Sequence, residues 1–97
     1  MQVAQSLRPV PVLVVLPGIL VNLFPGAVRE VEVSATSVRD AIGALDARWP
    51  GMRDRLCDSR PAIRRHINVF VDGDKAALDT PLAPGTEVII MTAISGG

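Results

Sequence analysis

Val88-Ile89-Ile90-Met91, close to the C-terminus, has a counterpart near the N-terminus in Val10-Pro11-Val12-Leu13-Val14-Val15-Leu16, and these two runs decide the fold. Each is short, apolar and rich in β-branched residues. Turn formers bound them: Pro17-Gly18 follows the first and Pro84-Gly85 precedes the second. Such runs read as strands buried on both faces, and therefore as the centre of a sheet. Two central strands side by side run parallel, which requires a crossover connection carrying a helix.

Working outward, Val28-Arg29-Glu30-Val31-Glu32-Val33 alternates from Glu30 onward, the pattern of a strand with one wet face. It pairs with the first run as an antiparallel hairpin whose long connection closes on Phe24-Pro25-Gly26. The crossover helix comes next. Ser37 with Asp40 three residues on has the form of a capping box, and the carboxylate suits the positive helix end. Val38, Ala41, Ile42, Leu45 and Trp49 then make one apolar stripe, and Pro50-Gly51 ends it. Gly51 to Leu56 adds a short helical turn, and Asp58 to Arg65 is an exposed connection. Ile67 to Val71 is a third strand stopping at Asp72-Gly73, a tight hairpin turn. A short strand or irregular segment around Lys75 to Leu78 follows, then turns at Asp79-Thr80-Pro81 and Pro84-Gly85. The order strand, strand, helix, strand, short strand, strand is α+β: a β-grasp roll in which a mixed sheet grips one main helix. Residues 1–8 are expected to be a flexible segment, residues 9–92 the domain, and residues 93–97 an extended tail.

Composition narrows the function. A chain of 97 residues is one small domain, with little material for a deep catalytic cleft. Ten basic against ten acidic residues give zero net charge, which argues against nucleic acid as a partner. One cysteine and one histidine leave no disulfide framework, no cysteine-based zinc site and no metal-ligand set, and argue against an autonomous enzyme. Arg8 before the apolar stretch Val10 to Phe24 superficially resembles a signal peptide. Pro9, Pro11, Pro17, Gly18 and Asn22 interrupt that stretch, and it is too short for a membrane span. The expectation is a cytoplasmic protein with no membrane partner and a reduced thiol at Cys57.

The chain closes on Thr92-Ala93-Ile94-Ser95-Gly96-Gly97. Two residues without side chains, placed where the chain leaves a central strand, allow another backbone to approach closely. Two such glycines alone read as a frayed polar tail, but on a β-grasp layout they suit a tail threading a narrow channel, where a β-carbon would meet the walls. The group delivered is the Gly97 carboxylate, with Gly96 and Ser95 as the threading residues.

With these residues the chain resembles the ubiquitin-like sulfur carriers related to ThiS and to the small subunit of molybdopterin synthase. The likeness runs from about Val10 to Gly97. It is most specific in Ile67-Asn68-Val69-Phe70-Val71-Asp72-Gly73, Asp79-Thr80-Pro81-Leu82, Pro84-Gly85-Thr86-Glu87-Val88 and the final Gly96-Gly97. Asp72 stands where that family has Asn, Pro84 where it has Asp, and Thr92 where a proline is common. The resemblance implies that the chain is a protein co-substrate with no bound cofactor. An adenylating enzyme of the ubiquitin-activating type would use ATP on the Gly97 carboxylate, and a sulfur donor would displace AMP. The resulting thiocarboxylate would pass sulfur to a biosynthetic enzyme. The small subunit of molybdopterin synthase, and a protein modifier or interaction domain of the same fold, are the alternatives.

Of the remaining candidates, Phe70, Met91 and Ile94 are apolar residues near the tail that read either as core or as a partner-docking patch, Ile94 foremost for docking because it lies beyond the last strand. Cys57 beside Leu56 reads as an inert thiol rather than a persulfide carrier, and His66 as a residue flanking the third strand. Arg60, Arg64 and Arg65 read as a solvated basic face.

Overall fold

The computed structural model describes residues 8–60 and 62–92. Its elements run β1 (Val10–Val15), α1 (Gly18–Leu23), β2 (Glu30–Ala35), α2 (Val38–Arg48), α3 (Met52–Leu56), β3 (Ile67–Val71), β4 (Asp74–Lys75) and β5 (Glu87–Thr92). The five strands form one sheet in the order β2-β1-β5-β3-β4. The two apolar runs are thus adjacent at its centre and parallel, with Leu13 opposite Glu87, Val14 opposite Val88 and Val15 opposite Ile89. β1 pairs antiparallel with β2, and β5 antiparallel with β3. The α+β, β-grasp architecture expected from the element order is the one found.

Among the described residues one layer of helix covers this sheet, and only one of its faces is packed. Val12 and Val14 of β1, Val31 and Val33 of β2, Val69 of β3 and Val88 and Ile90 of β5 are buried against Val38, Ala41, Ile42 and Leu45 of α2. β1 and β5 were expected to be buried on both faces. Instead they alternate: Leu13, Val15 and Ile89 are half-buried, and Glu87 and Met91 are exposed. An apolar run marks a central strand, but a second buried face requires a second covering layer, and α2 lies on one side only.

The capping box of α2 forms in a displaced version. Ser37 Oγ accepts from the Asp40 N–H at 3.2 Å, while Asp40 Oδ2 accepts from the N–H and the hydroxyl of Thr36 at 2.8 and 3.2 Å. The carboxylate therefore satisfies the residue before the cap rather than Ser37 itself. α2 ends at Arg48, and half-buried Trp49 is its C-cap, donating its N–H to the Leu45 carbonyl. Gly51, at φ +102°, then starts α3, and Asp46 Oδ1 accepts from the Gly51 and Arg53 amides at 3.1 and 3.0 Å. Those bonds, the Arg53 amide foremost, hold the Asp46 carboxyl below the usual carboxylate range.

Two local expectations are corrected. The β1–β2 connection contains a helix, α1, where a loop was expected. Pro17 at φ −72° accepts from the Leu20 and Val21 amides through its carbonyl, and burial of Leu20 anchors the turn to the core. Six residues without a capping side chain are too few to show helical periodicity in sequence. β2 also begins at Glu30 rather than Val28 and continues to Ala35, opposite Val10. The Asp72-Gly73 turn is as expected, with both residues at positive φ, 49° and 91°. Asp72 keeps the conformational freedom of the asparagine it replaces, and its N–H and Oδ1 bond the backbone of Glu87 at 3.0 and 3.2 Å.

Candidate functional site at the end of strand five

The first half of β5 is paired on both sides, and its C-terminal end on one. Val15 of β1 lies beside Ile89, and β3 continues the pairing outward to Ile67 opposite Thr92. β5 thus reaches Thr92 with its ladder to β3 intact, and pairing to the last residue limits fraying there. At this end lie the last residues of β1, the start of α1 and the first residues of β2, because β1 and β5 are parallel and β2 antiparallel.

On the open face of the sheet, Val15, Ile89 and Phe70 form a row across β1, β5 and β3, all half-buried. Met91, 49% exposed, continues the row's central strand toward the exit, opposite Asn68. Phe70 and Met91, singled out from the sequence, therefore share one face on neighbouring strands. Val15 and Ile89 complete that apolar patch. They escaped notice because an unbroken apolar run gives no sign of which side is left uncovered. Exposed Glu30 and Lys75 flank the row on β2 and β4. A groove of about 310 Å³ runs along it to the exit, lined by Val15, Leu16, Arg29, Ile89, Met91 and Thr92. Ile94, Ser95, Gly96 and Gly97 lie outside the described residues, as do residues 1–7 of the expected flexible segment.

The remaining candidates lie away from this end or have local duties. Cys57 is 8% exposed in the core, and burial pushes its thiol up despite the nearby Arg53 guanidinium. A thiol kept protonated is a poor nucleophile. Alkylation of the native protein by iodoacetamide at pH 8 is expected to run at least about tenfold slower than in denaturant, read by mass spectrometry. Cys57, with Ile42 and Leu78, lines a cavity of about 350 Å³ to which β5 contributes nothing. Arg60 grips Asp58, with 2.6 Å between Nη2 and Oδ2, and holds that carboxyl at about 2. Arg64 donates from Nε to the Asp54 carbonyl at 2.9 Å, so two of the three clustered arginines organise the connection before β3. His66 is exposed just before β3. Among the described residues no group of three or more His, Cys, Asp and Glu is arranged to hold a metal ion, and no helix is long and apolar enough to cross a membrane.

Comparison with known proteins places this architecture. The model of the ThiS family matches residues 14–97. Small archaeal modifier protein 1 of Haloferax volcanii is 35% identical over 68 residues, which is 70% of this chain and 77% of the relative. The sulfur carrier protein CysO of Mycobacterium tuberculosis is 32% identical over 78 residues, or 74% and 84% of the two chains. Among solved structures, a chain in the BexX/CysO complex of Amycolatopsis orientalis superposes with a TM-score of 0.79 at 28% identity, covering 89% of this chain and 99% of that one.

Proposed function

We propose that this chain, which belongs to the ThiS family, is a sulfur carrier that bears its sulfur as a thiocarboxylate on Gly97. One observation of the structure supports this reading above others: β5, at the centre of the sheet, delivers the chain beside an open apolar face five residues before Gly97. A paired exit strand, a docking face and a side-chain-free end suit insertion into an enzyme channel. The curated relatives are named as carriers and as a modifier rather than as enzymes, in keeping with a protein acted upon by others.

In the proposed chemistry, a carboxylate oxygen of Gly97 attacks the α-phosphorus of ATP in an adenylating enzyme of the ubiquitin-activating type, and pyrophosphate departs. A carboxylate is a poor acyl donor, and the acyl-adenylate carries a good leaving group. Hydrosulfide, or a donor's equivalent of it, adds to the acyl carbon and AMP leaves with the bond it breaks. The thiocarboxylate is ionised near neutral pH and nucleophilic, and a sulfur-accepting biosynthetic enzyme consumes it. ATP is the partner enzyme's substrate, not a group held by this chain. Phe70 and Met91, with Val15 and Ile89 between and beside them, are the docking residues on the sheet, and Ile94 extends the contact toward the enzyme. Ser95 and Gly96 occupy the channel.

The test is intact-mass spectrometry after incubation with the adenylating enzyme, ATP and sulfide. The expected result is a gain of about 16 Da, oxygen replaced by sulfur, located on Gly97 by fragmentation. A chain that keeps its mass in the presence of an active partner counts decisively against the proposal. Kinship to a small archaeal modifier supports a second use of the same activated end, acyl transfer to a lysine amine. That use gives a conjugate of higher mass and no thiocarboxylate when sulfide is omitted.

A further inference from the structure

The four large apolar side chains exposed among the described residues are Ile19 at 58%, Leu23 at 46%, Val28 at 48% and Met91 at 49%. Isolated exposed apolar residues are common, but these four gather at one pole. Ile19 and Leu23 lie four residues apart on α1, directly after β1. Val28 sits just before β2, where the Leu16 amide bonds the Arg29 carbonyl, and Met91 is one residue short of the end of β5. Thr92 lies in the middle of this pole. It borders the groove on the open sheet face and also a second groove of about 340 Å³ on the helix side, bounded by Ile19, Leu23, Arg55, His66 and Ile67. Thr92, the last of the described residues, therefore lies between two apolar grooves. No Asp or Glu lines either of them, while Arg29 stands in one and Arg55 and His66 in the other.

We infer that α1 is part of the surface gripped by the adenylating enzyme, with Ile19 and Leu23 seated in an apolar patch of that enzyme rimmed by carboxylates. This rests on the carrier reading of Gly97. Reach supplies the argument for the occupant. Residues 93–97 can span at most about 18 Å when fully extended. An active site that adenylates Gly97 must lie within that distance of Thr92, so the walls of its channel cover the pole around Thr92. Covering one groove and leaving the other in water would expose Ile19 and Leu23 at the rim of the contact. The basic residues on both sides of Thr92 select acidic groups on the covering surface. α1 matters here because Leu20 alone of its residues is buried, leaving Ile19 and Leu23 on its outer flank.

The experiment measures the initial rate of thiocarboxylate formation against carrier concentration, at fixed adenylating enzyme, ATP and sulfide. Ile19→Asp and Leu23→Asp are expected to raise KM at least about tenfold while kcat stays within about twofold, since the tail chemistry is untouched. Arg55→Glu is expected to raise KM most at low salt and least at high salt, as a rim charge does. Ala47→Asp, at an exposed position of α2, is the control and should leave KM unchanged. Thermal melting of each variant checks the fold, and Ile19→Ser and Leu23→Ser provide milder changes with the same expected direction. Unchanged KM in the folded α1 variants, with the wild type fully loaded, overturns this inference and leaves the carrier reading standing. A wild-type chain that gains no mass overturns both.

Discussion

Deleting Gly96 and Gly97 is expected to abolish thiocarboxylate formation entirely while leaving the melting midpoint within about 2 °C of the full chain, a change below about 0.5 kcal/mol. The two effects separate because the residues differ in what they contribute. Glycines have no side chain to bury, and among the described residues the core is assembled from residues between Val12 and Ile90. In the proposed carrier chemistry the acyl carbon to be activated belongs to Gly97, and the shortened chain presents Ser95 in its place. The shortened chain stops two residues short of the reacting centre. Intact-mass spectrometry and a melting curve on the same sample read both outcomes. A fall of several degrees shows that the end is packed against the domain, and loading of the shortened chain shows that the reacting carboxylate is not defined by Gly97.

The largest effect on stability is expected at the centre of the helix layer. Leu45 is 0% exposed, on the face of α2 that meets the sheet. Leu45→Ala removes buried methyl groups and leaves a cavity that a small, close-packed domain relaxes into only in part. The expected cost is about 2–5 kcal/mol, a large share of the roughly 5–15 kcal/mol by which domains are stable. Urea denaturation should show the midpoint falling with little change in slope. Loading by the adenylating enzyme, measured well below the new midpoint, should be preserved, since Leu45 does not line either groove at the exit. A cost below about 1 kcal/mol places the mechanical centre of the fold elsewhere than between α2 and the sheet.

Residues used in these two experiments show how much was legible before folding. Leu45 could be placed from the stripe Val38, Ala41, Ile42, Leu45, because helical spacing and burial of one face are the same fact stated twice. The parallel central pair was legible from Val10 to Leu16 and Val88 to Met91, and the Asp72-Gly73 hairpin from residues that tolerate positive φ. Gly96-Gly97 stood out because absence of side chains at the end of a strand is a property of composition. Each of these signals is local, or repeats with a period set by backbone geometry.

What lay beyond the sequence is relational. That Ile89 and Val15 face outward, beside Phe70, follows only once α2 occupies the other side of the sheet, for an apolar strand has no mark distinguishing its two faces. α1 owes its existence to the burial of Leu20 and to the Leu20 and Val21 amides donating to the Pro17 carbonyl, not to helical periodicity, which six residues are too few to express. The gathering of Ile19, Leu23, Val28 and Met91 around Thr92 depends on β1 ending and β2 starting where β5 ends, a consequence of strand order. Sequence by itself therefore determined the elements other than α1, and their order, because propensity and periodicity act over neighbouring residues. The tertiary structure alone decided which apolar residues stay exposed and that they ring the exit of the tail, because exposure is set by what residues far apart in the chain leave uncovered.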